Sequence, residues 1–346
     1  MRARTRLFAA AAAIALAVAA PIAVSQAPTP DASGSRMLPS TAASYAEYQG
    51  NVTQVMSKDL GSAAELNRHI QTFGSANVNQ LSSGWISYGA ILAAQNPDFA
   101  EEIRKVDAEY GRERVMLGFQ NSPAYARSLK GGEAALQAAL TVNAHETARI
   151  SSAGAFVKEQ SYSIQQLNWG KSRAPDPGKT ALTLRVASKE DKQAGAAFQQ
   201  AFSAPDLNTV LASLTASPTT SQSIWDKVAV LTVSAPGNAF NTVSPVVAAQ
   251  QALKIKPGYD GTANRMLTLG AQHILSAEQT HSTQMRASMA DPMSRDCLAE
   301  AQQNFFGCVS AATHNDALAG CLAKHGLQIP KEETRSIGLC LSEIAR

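Results

Sequence analysis

Between Gly132 and Trp169 the chain has no proline, and Gly154 is the one glycine inside that stretch. Leu136, Asn143, Ile150, Val157 and Ile164 recur at heptad spacing, and Leu140, Thr147, Gly154 and Ser161 fill the neighbouring line. A stripe of that period marks a helix with one packing face. One edge of the stripe is large and the other small, so a second helix backbone is expected to cross close by at Gly154. Gly131-Gly132 in front and the glycine-bearing loop 170–178 behind punctuate it. A continuous helix here is longer than about 50 Å, at about 1.5 Å per residue.

The flanking sequence repeats helix grammar. Ser40 or Thr41 can cap a helix running to Leu60, and Ser62 opens one that carries Leu66, Ile70 and Phe73 and stops at Gly74. Asn77 to Gln95 holds Leu81, Trp85, Tyr88 and Leu92 on a helical pattern, and Asn96-Pro97 starts the next helix, to Tyr110. Arg112 to Gln120 and Ser122-Pro123 to Lys130 complete a bundle over 41–170. Charged residues are 16% of the chain, below the roughly 25% of an average globular protein. Low charge with much alanine suits closely packed helices and not disorder.

The loop 170–179, rich in Gly, Pro, Lys and Arg, is the expected boundary to a second helical region, 171–290. Leu182, Leu184 and Val186 alternate with Thr183 and Arg185, so a short strand competes with helix there. Ser188 with Asp191 reads as a capping box for a helix to about Ser203. Helices follow at Pro205–Ser217, Thr219–Ser234 (with a buried strand at Val228 to Val233 as its alternative) and Ser244–Lys256, and Thr262 to Ala290 reads as the second long helix. The expected fold class is all-α: an irregular multi-helix bundle built around two long helices, with a disulfide-stapled helical tail at 291–346.

Residues 1–27 have the form of a secretory signal peptide, with Arg2, Arg4 and Arg6 ahead of an apolar run from Leu7 to Ala20. An uncleaved N-terminal anchor is the competing reading. Residues 28–40 then form a flexible linker. The net charge is +3 and the leader carries three arginines and no acids, so the remainder is neutral, 3 − 3 = 0. That argues against nucleic acid, which needs a basic face. No later segment is apolar enough to span a bilayer. A periplasmic or secreted location follows.

Catalytic signatures are weak. Gly170-Lys171-Ser172 and Gly178-Lys179-Thr180 resemble phosphate-cradling loops, but the glycine required five positions earlier is Gln165 or Arg173. Ser87, in Gly-Trp-Ile-Ser-Tyr-Gly, misses the hydrolase elbow by one residue. Glu278 and His281 form Glu-x-x-His on the apolar face of the second long helix. Di-metal bundles use two such pairs with two further glutamates, and this is the only pair in the chain. Glu65 with His69 and His145 with Glu146 have the wrong spacing. Metal at Glu278 and His281 is the one cofactor candidate, and a hydrogen-bonded pair is its plain alternative.

The four cysteines, Cys297, Cys308, Cys321 and Cys340, all lie in the tail. An even count in an exported chain implies disulfides. Zinc is the competing use, without a Cys-x-x-Cys pair to support it. Cys297 and Cys308 share a helical face but stand about 16 Å apart along it, too far to bond each other. Cys308 and Cys321 flank the turn at His314 and Asn315 almost evenly, so the expected pairs are Cys308–Cys321 and Cys297–Cys340. The function expected from all this is a non-catalytic binding or envelope accessory role toward an unknown protein or small ligand. A metal-dependent enzyme and a carrier of small apolar ligands are the alternatives.

Overall fold

The structure, a computed structural model, describes residues 37–204 and 252–345, apart from 333 and 343, together with 207–209 and 211. The leader, linker residues 28–36 and the helices read over 205–251 lie outside or almost outside the described residues. The final residues of the Ser244–Lys256 reading, 252–256, are not helical: Ile255 bridges Ala345 and the Lys256 N–H donates to the Ile344 carbonyl. Among the described residues every regular element is a helix.

The heptad stripe becomes α7 (Gly132–Ile164), with Leu136, Leu140, Asn143, Ile150, Gly154, Val157, Ser161 and Ile164 all buried. It ends short of Trp169, and Asn168–Lys171 forms the separate turn α8. There the Trp169 carbonyl accepts Asn315 Nδ2 at 2.8 Å. Around α7 stand α1 (Met37–Met56), α2 (Ala63–Gly74), α3 (Val78–Ala93), α4 (Pro97–Tyr110), α5 (Arg112–Asn121) and the short α6 (Tyr125–Ser128). Ser62, Asn77 and Asn96 cap α2, α3 and α4 through side-chain oxygens that accept backbone N–H groups. By contrast, α1 starts at Met37, upstream of the cap read at Ser40 or Thr41. The Thr41 hydroxyl bonds the Met37 carbonyl at 2.8 Å, from inside the helix.

Two readings in the middle of the chain are corrected. Residues 182–186 are not a strand: Pro177–Ala187 is α9, begun by Asp176, whose carboxylate accepts the Lys179 N–H. Ala181 and Leu184 are buried while Leu182 and Val186 point outward, a helical division of an alternating sequence. Ser188 closes α9 and does not open a helix; the next helix, α10 (Ala196–Phe202), begins after Gly195. Asp191, read as part of the capping box, accepts Asn77 Nδ2 at 3.1 Å instead.

The second long helix is broken into α11 (Asp260–Ile274) and α12 (Ser282–Met289). Ser276 in the break takes φ +53°. The tail consists of α13 (Pro292–Ala311), α14 (Asn315–Cys321) running into a π-helical turn (Leu322–Gly326), and α15 (Ile337–Cys340). Cys297 bonds Cys340 and Cys308 bonds Cys321, with Cα separations of 5.6 and 5.7 Å. The first closes 43 residues and the second 13. Loop-closure entropy makes them worth about 4 and about 3 kcal/mol.

One buried apolar cluster takes residues from Leu38 to Ile344. In it α3 lies against α1 and α11, α9 against α13, and α7 against α14 and the π turn. Close approaches depend on glycine. A Cβ on Gly84 of α3 would sit 2.9 Å from the Thr41 carbonyl oxygen and the Tyr45 nitrogen of α1. At Gly154 the neighbour is not a helix as expected. It is the non-helical backbone of Gln328, just past the π turn.

Candidate functional site

Where α1, α3 and α7 converge, a carboxylate is buried among phenols. Glu146 of α7 is 6% exposed, and lies on the same face as Asn143 and Ile150. Its Oε2 accepts the Tyr45 hydroxyl and its Oε1 the Tyr88 hydroxyl, both at 2.8 Å. Gln49, one turn along α1 from Tyr45, donates its Nε2 to the Tyr45 oxygen at 2.6 Å. Arg149 Nη2 donates to Gln49 Oε1 at 2.7 Å, closing a chain from α7 to α1 and back. Burial first, then the Glu146 charge and hydrogen bond, hold both phenols far above the usual tyrosine range. They therefore remain protonated and donate. The two rings also meet at 5.3 Å between centroids, tilted by 39°. This arrangement sets the register of three helices.

On the outer side of the α1–α3 crossing a groove of about 380 Å³ opens. Ser40, Ser44, Asn79 and Ser83 line one wall, and Lys192 with Gln193 the other. The Lys192 N–H donates to Gln80 Oε1 at 3.0 Å, which pins that second wall to α3. Hydroxyls and amides line the groove, and the Lys192 ammonium beside it donates to the Ser75 carbonyl at 3.1 Å.

Compared with protein-family models, curated proteins and solved structures, the chain matches none. The site must therefore be read from its own groups.

The residues singled out for metal are not side by side on a helix. Glu278 and His281 fall in the break between α11 and α12. Glu278 is buried and lies 2.7 Å from His273 Nδ1, five residues back in sequence. His281 Nδ1 is 2.8 Å from the Thr280 hydroxyl, and its Nε2 is 3.6 Å from Glu113 of α5. Arg112 Nη1 donates to the Leu275 carbonyl at the end of α11. Arg112 and Glu113 of α5 thus meet the chain where the helix breaks. Among the described residues no three His, Cys, Asp or Glu side chains gather so as to hold a metal ion. Ser87 lies inside α3, fully buried, not on a strand-to-helix turn. The cysteines are all engaged in the two disulfides.

The Tyr45–Glu146–Tyr88 group was legible only in part. Tyr88 reads as a core aromatic, and Glu146 is excluded as a metal ligand by spacing. The available signal was a glutamate on the apolar line between Asn143 and Ile150.

Three histidines give the fold a defined pH response. Burial lowers the pKa of His69, His145 and His325 below the ordinary 6.5. At His69, Arg68 and Lys58 add to the depression and Glu65 opposes it; at His325, Lys324 adds and Glu332 opposes. These three groups thus hold fewer protons in the folded chain than in the unfolded one as pH falls through 6.5. Their contribution is complete above that value and declines as pH falls through it toward the depressed folded values. The urea midpoint is expected to drop between about pH 7.5 and 5.5, and His69→Gln with His325→Gln to flatten that slope. An unchanged slope would remove the histidines from the account.

Proposed function

We propose that this is an exported helical protein of the cell envelope with a non-catalytic binding or accessory role. The observation that carries the reading is the pair of nested disulfides, which uses all four cysteines. Such bonds persist in oxidising compartments. The basic and apolar pattern of residues 1–27 agrees. Among the described residues no helix is long and apolar enough to cross a membrane.

The binding part of the reading draws on the groove at the α1–α3 crossing. Its volume lies in the range of small-molecule sites. Its lining mixes hydroxyls and amides with a larger share of apolar surface, which suits a ligand carrying both kinds of group. The experiment is fractionation of cells expressing the full chain, with alkylation of free thiols before lysis. Recovery in the periplasm or medium, shortened at the N-terminus and without reactive thiols, is the expected result. Recovery in the cytoplasm with four reactive thiols would sink the proposal, as would turnover of an envelope substrate by the purified protein.

A further inference from the structure

The near-neutral chain hides a local charge excess. Segment 171–192 contains six cations (Lys171, Arg173, Lys179, Arg185, Lys189 and Lys192) and three acids (Asp176, Glu190 and Asp191), a net of 6 − 3 = +3. The leader already accounts for the whole formal +3, so the rest of the chain carries a compensating −3. The centre of this basic segment is α9, which has no acidic residue between Pro177 and Ala187.

The outward face of α9 is unusual for a surface helix. Leu182 is 61% exposed and Val186 57% exposed, one turn apart. At about 100° per residue Lys179, Leu182, Val186 and Lys189 fall within roughly 80° of one another. The turn carries on past the helix end, since the Lys189 N–H donates to the Val186 carbonyl at 3.1 Å. The result is a stripe with two aliphatic side chains in the middle and a lysine at each end. The opposite face is anchored: Ala181 and Leu184 are buried, and the Arg185 guanidinium lies 5.7 Å from the Phe306 ring centroid of α13. None of Lys171, Arg173, Lys179 and Lys189 forms an ion pair or hydrogen bond through its side chain among the described residues, and all four are exposed.

We propose that α9 is a docking surface for a membrane leaflet bearing anionic headgroups, with Leu182 and Val186 entering the interface and the lysines contacting phosphates. A helix lying flat on a bilayer needs an apolar line flanked by cations. Lysine stems are long enough to run along the interface while the ammonium reaches the headgroups. The charge complementarity also favours lipid over an acidic protein. Lysine is a point charge on a flexible stem and suits a headgroup layer that rearranges laterally, whereas paired protein carboxylates are best met by the fork of arginine. The accessory reading is thereby deepened, because the partner becomes the membrane itself. Cytoplasmic recovery would defeat that reading, while the effect of substitutions in α9 on vesicle binding tests this surface by itself.

The test is sedimentation of the full chain with vesicles of phosphatidylglycerol and phosphatidylethanolamine, against vesicles of phosphatidylcholine. Binding to the anionic vesicles only is expected, lost between about 0.05 and 0.5 M NaCl. Lys179→Glu with Lys189→Glu is expected to weaken it at least about tenfold. Leu182→Ser with Val186→Ser is expected to do the same with the melting temperature retained, since both side chains are exposed. Leu182→Trp reads α9 whatever the N-terminal apolar run does: the emission it adds to that of Trp85, Trp169 and Trp225 in the unsubstituted chain is quenched by brominated phosphatidylglycerol. Equal binding to both vesicle types, binding unaffected by the two double variants, or an unquenched Trp at 182 would overturn the proposal. So would retention of the chain by polyglutamate but not by anionic vesicles.

Discussion

Gly154→Leu is expected to leave no cooperatively folded protein, and Gly154→Ala to cost about 2 kcal/mol, the scale of overpacking a filled interior. A Cβ on Gly154 would fall on the carbonyl group of Gln328, and a backbone group cannot rotate away as a side-chain tip can. Gln328 is also held in place: the preceding Gly326 carbonyl accepts the Tyr48 hydroxyl at 3.1 Å, and Leu327 is buried. Alanine gains up to about 1 kcal/mol of helix propensity over glycine, which the clash outweighs. Gly307 is the control. It lies inside α13 with nothing within 4 Å of an added Cβ. Gly307→Ala is therefore expected to stabilise by up to about 1 kcal/mol. Urea unfolding of the three variants checks the contrast. Equal effects of the two alanine substitutions would show that the backbone contact at Gly154 carries no weight.

The second large effect is expected at Glu146. Glu146→Leu removes the acceptor for two buried phenols, and each buried donor left unsatisfied costs about 1–3 kcal/mol. A loss of about 4 kcal/mol follows, in the range found when one partner of a buried charged network is deleted. Pairing of the phenols with the carboxylate can be separated from packing by a second substitution. Tyr88→Phe added to Glu146→Leu takes away one stranded hydroxyl along with the carboxylate, whereas Tyr45→Phe would strand the buried Gln49 amide that donates to the Tyr45 oxygen. The Tyr88→Phe double variant is expected to be more stable than Glu146→Leu alone, even though it carries one more substitution. If the phenylalanine instead made matters worse, the packing of the ring and not the hydrogen bond would be what Glu146 supports at Tyr88.

Neither effect could be sized from the chain alone, although both positions are visible in it. Gly154 stands out as the small residue in a helical stripe, but the stripe implies only a close neighbour. That the neighbour is the backbone after a π-helical turn, and not a second helix, is decided 174 residues further along, where Gly326 ends that turn and Gln328 follows. Glu146 shows itself as a charge on an apolar line. Its partners come from α1 and α3, brought together by the close crossing at Gly84.

What the sequence determined by itself is the set of structures whose hydrogen bonds or periodicity are local. Ser62, Asn77 and Asn96 accept from backbone groups two or three residues ahead, so a cap can be read wherever the residue and its helix are adjacent. The all-α class follows from such caps and from the stripe in α7. The order of the disulfides follows in two short steps: a helix keeps Cys297 and Cys308 too far apart to bond each other, which removes one of three pairings, and the turn at His314 and Asn315 sets Cys308 opposite Cys321. Tertiary structure decided the rest. At the break between α11 and α12, Arg112 reaches the Leu275 carbonyl from a helix more than 160 positions earlier. Residues 182–186 alternate in a way that leaves a short strand open beside the helix; the choice falls to helix, in which Ala181 and Leu184 are buried. That choice also turns Leu182 and Val186 outward between two lysines, a surface that no reading of the five-residue alternation contains.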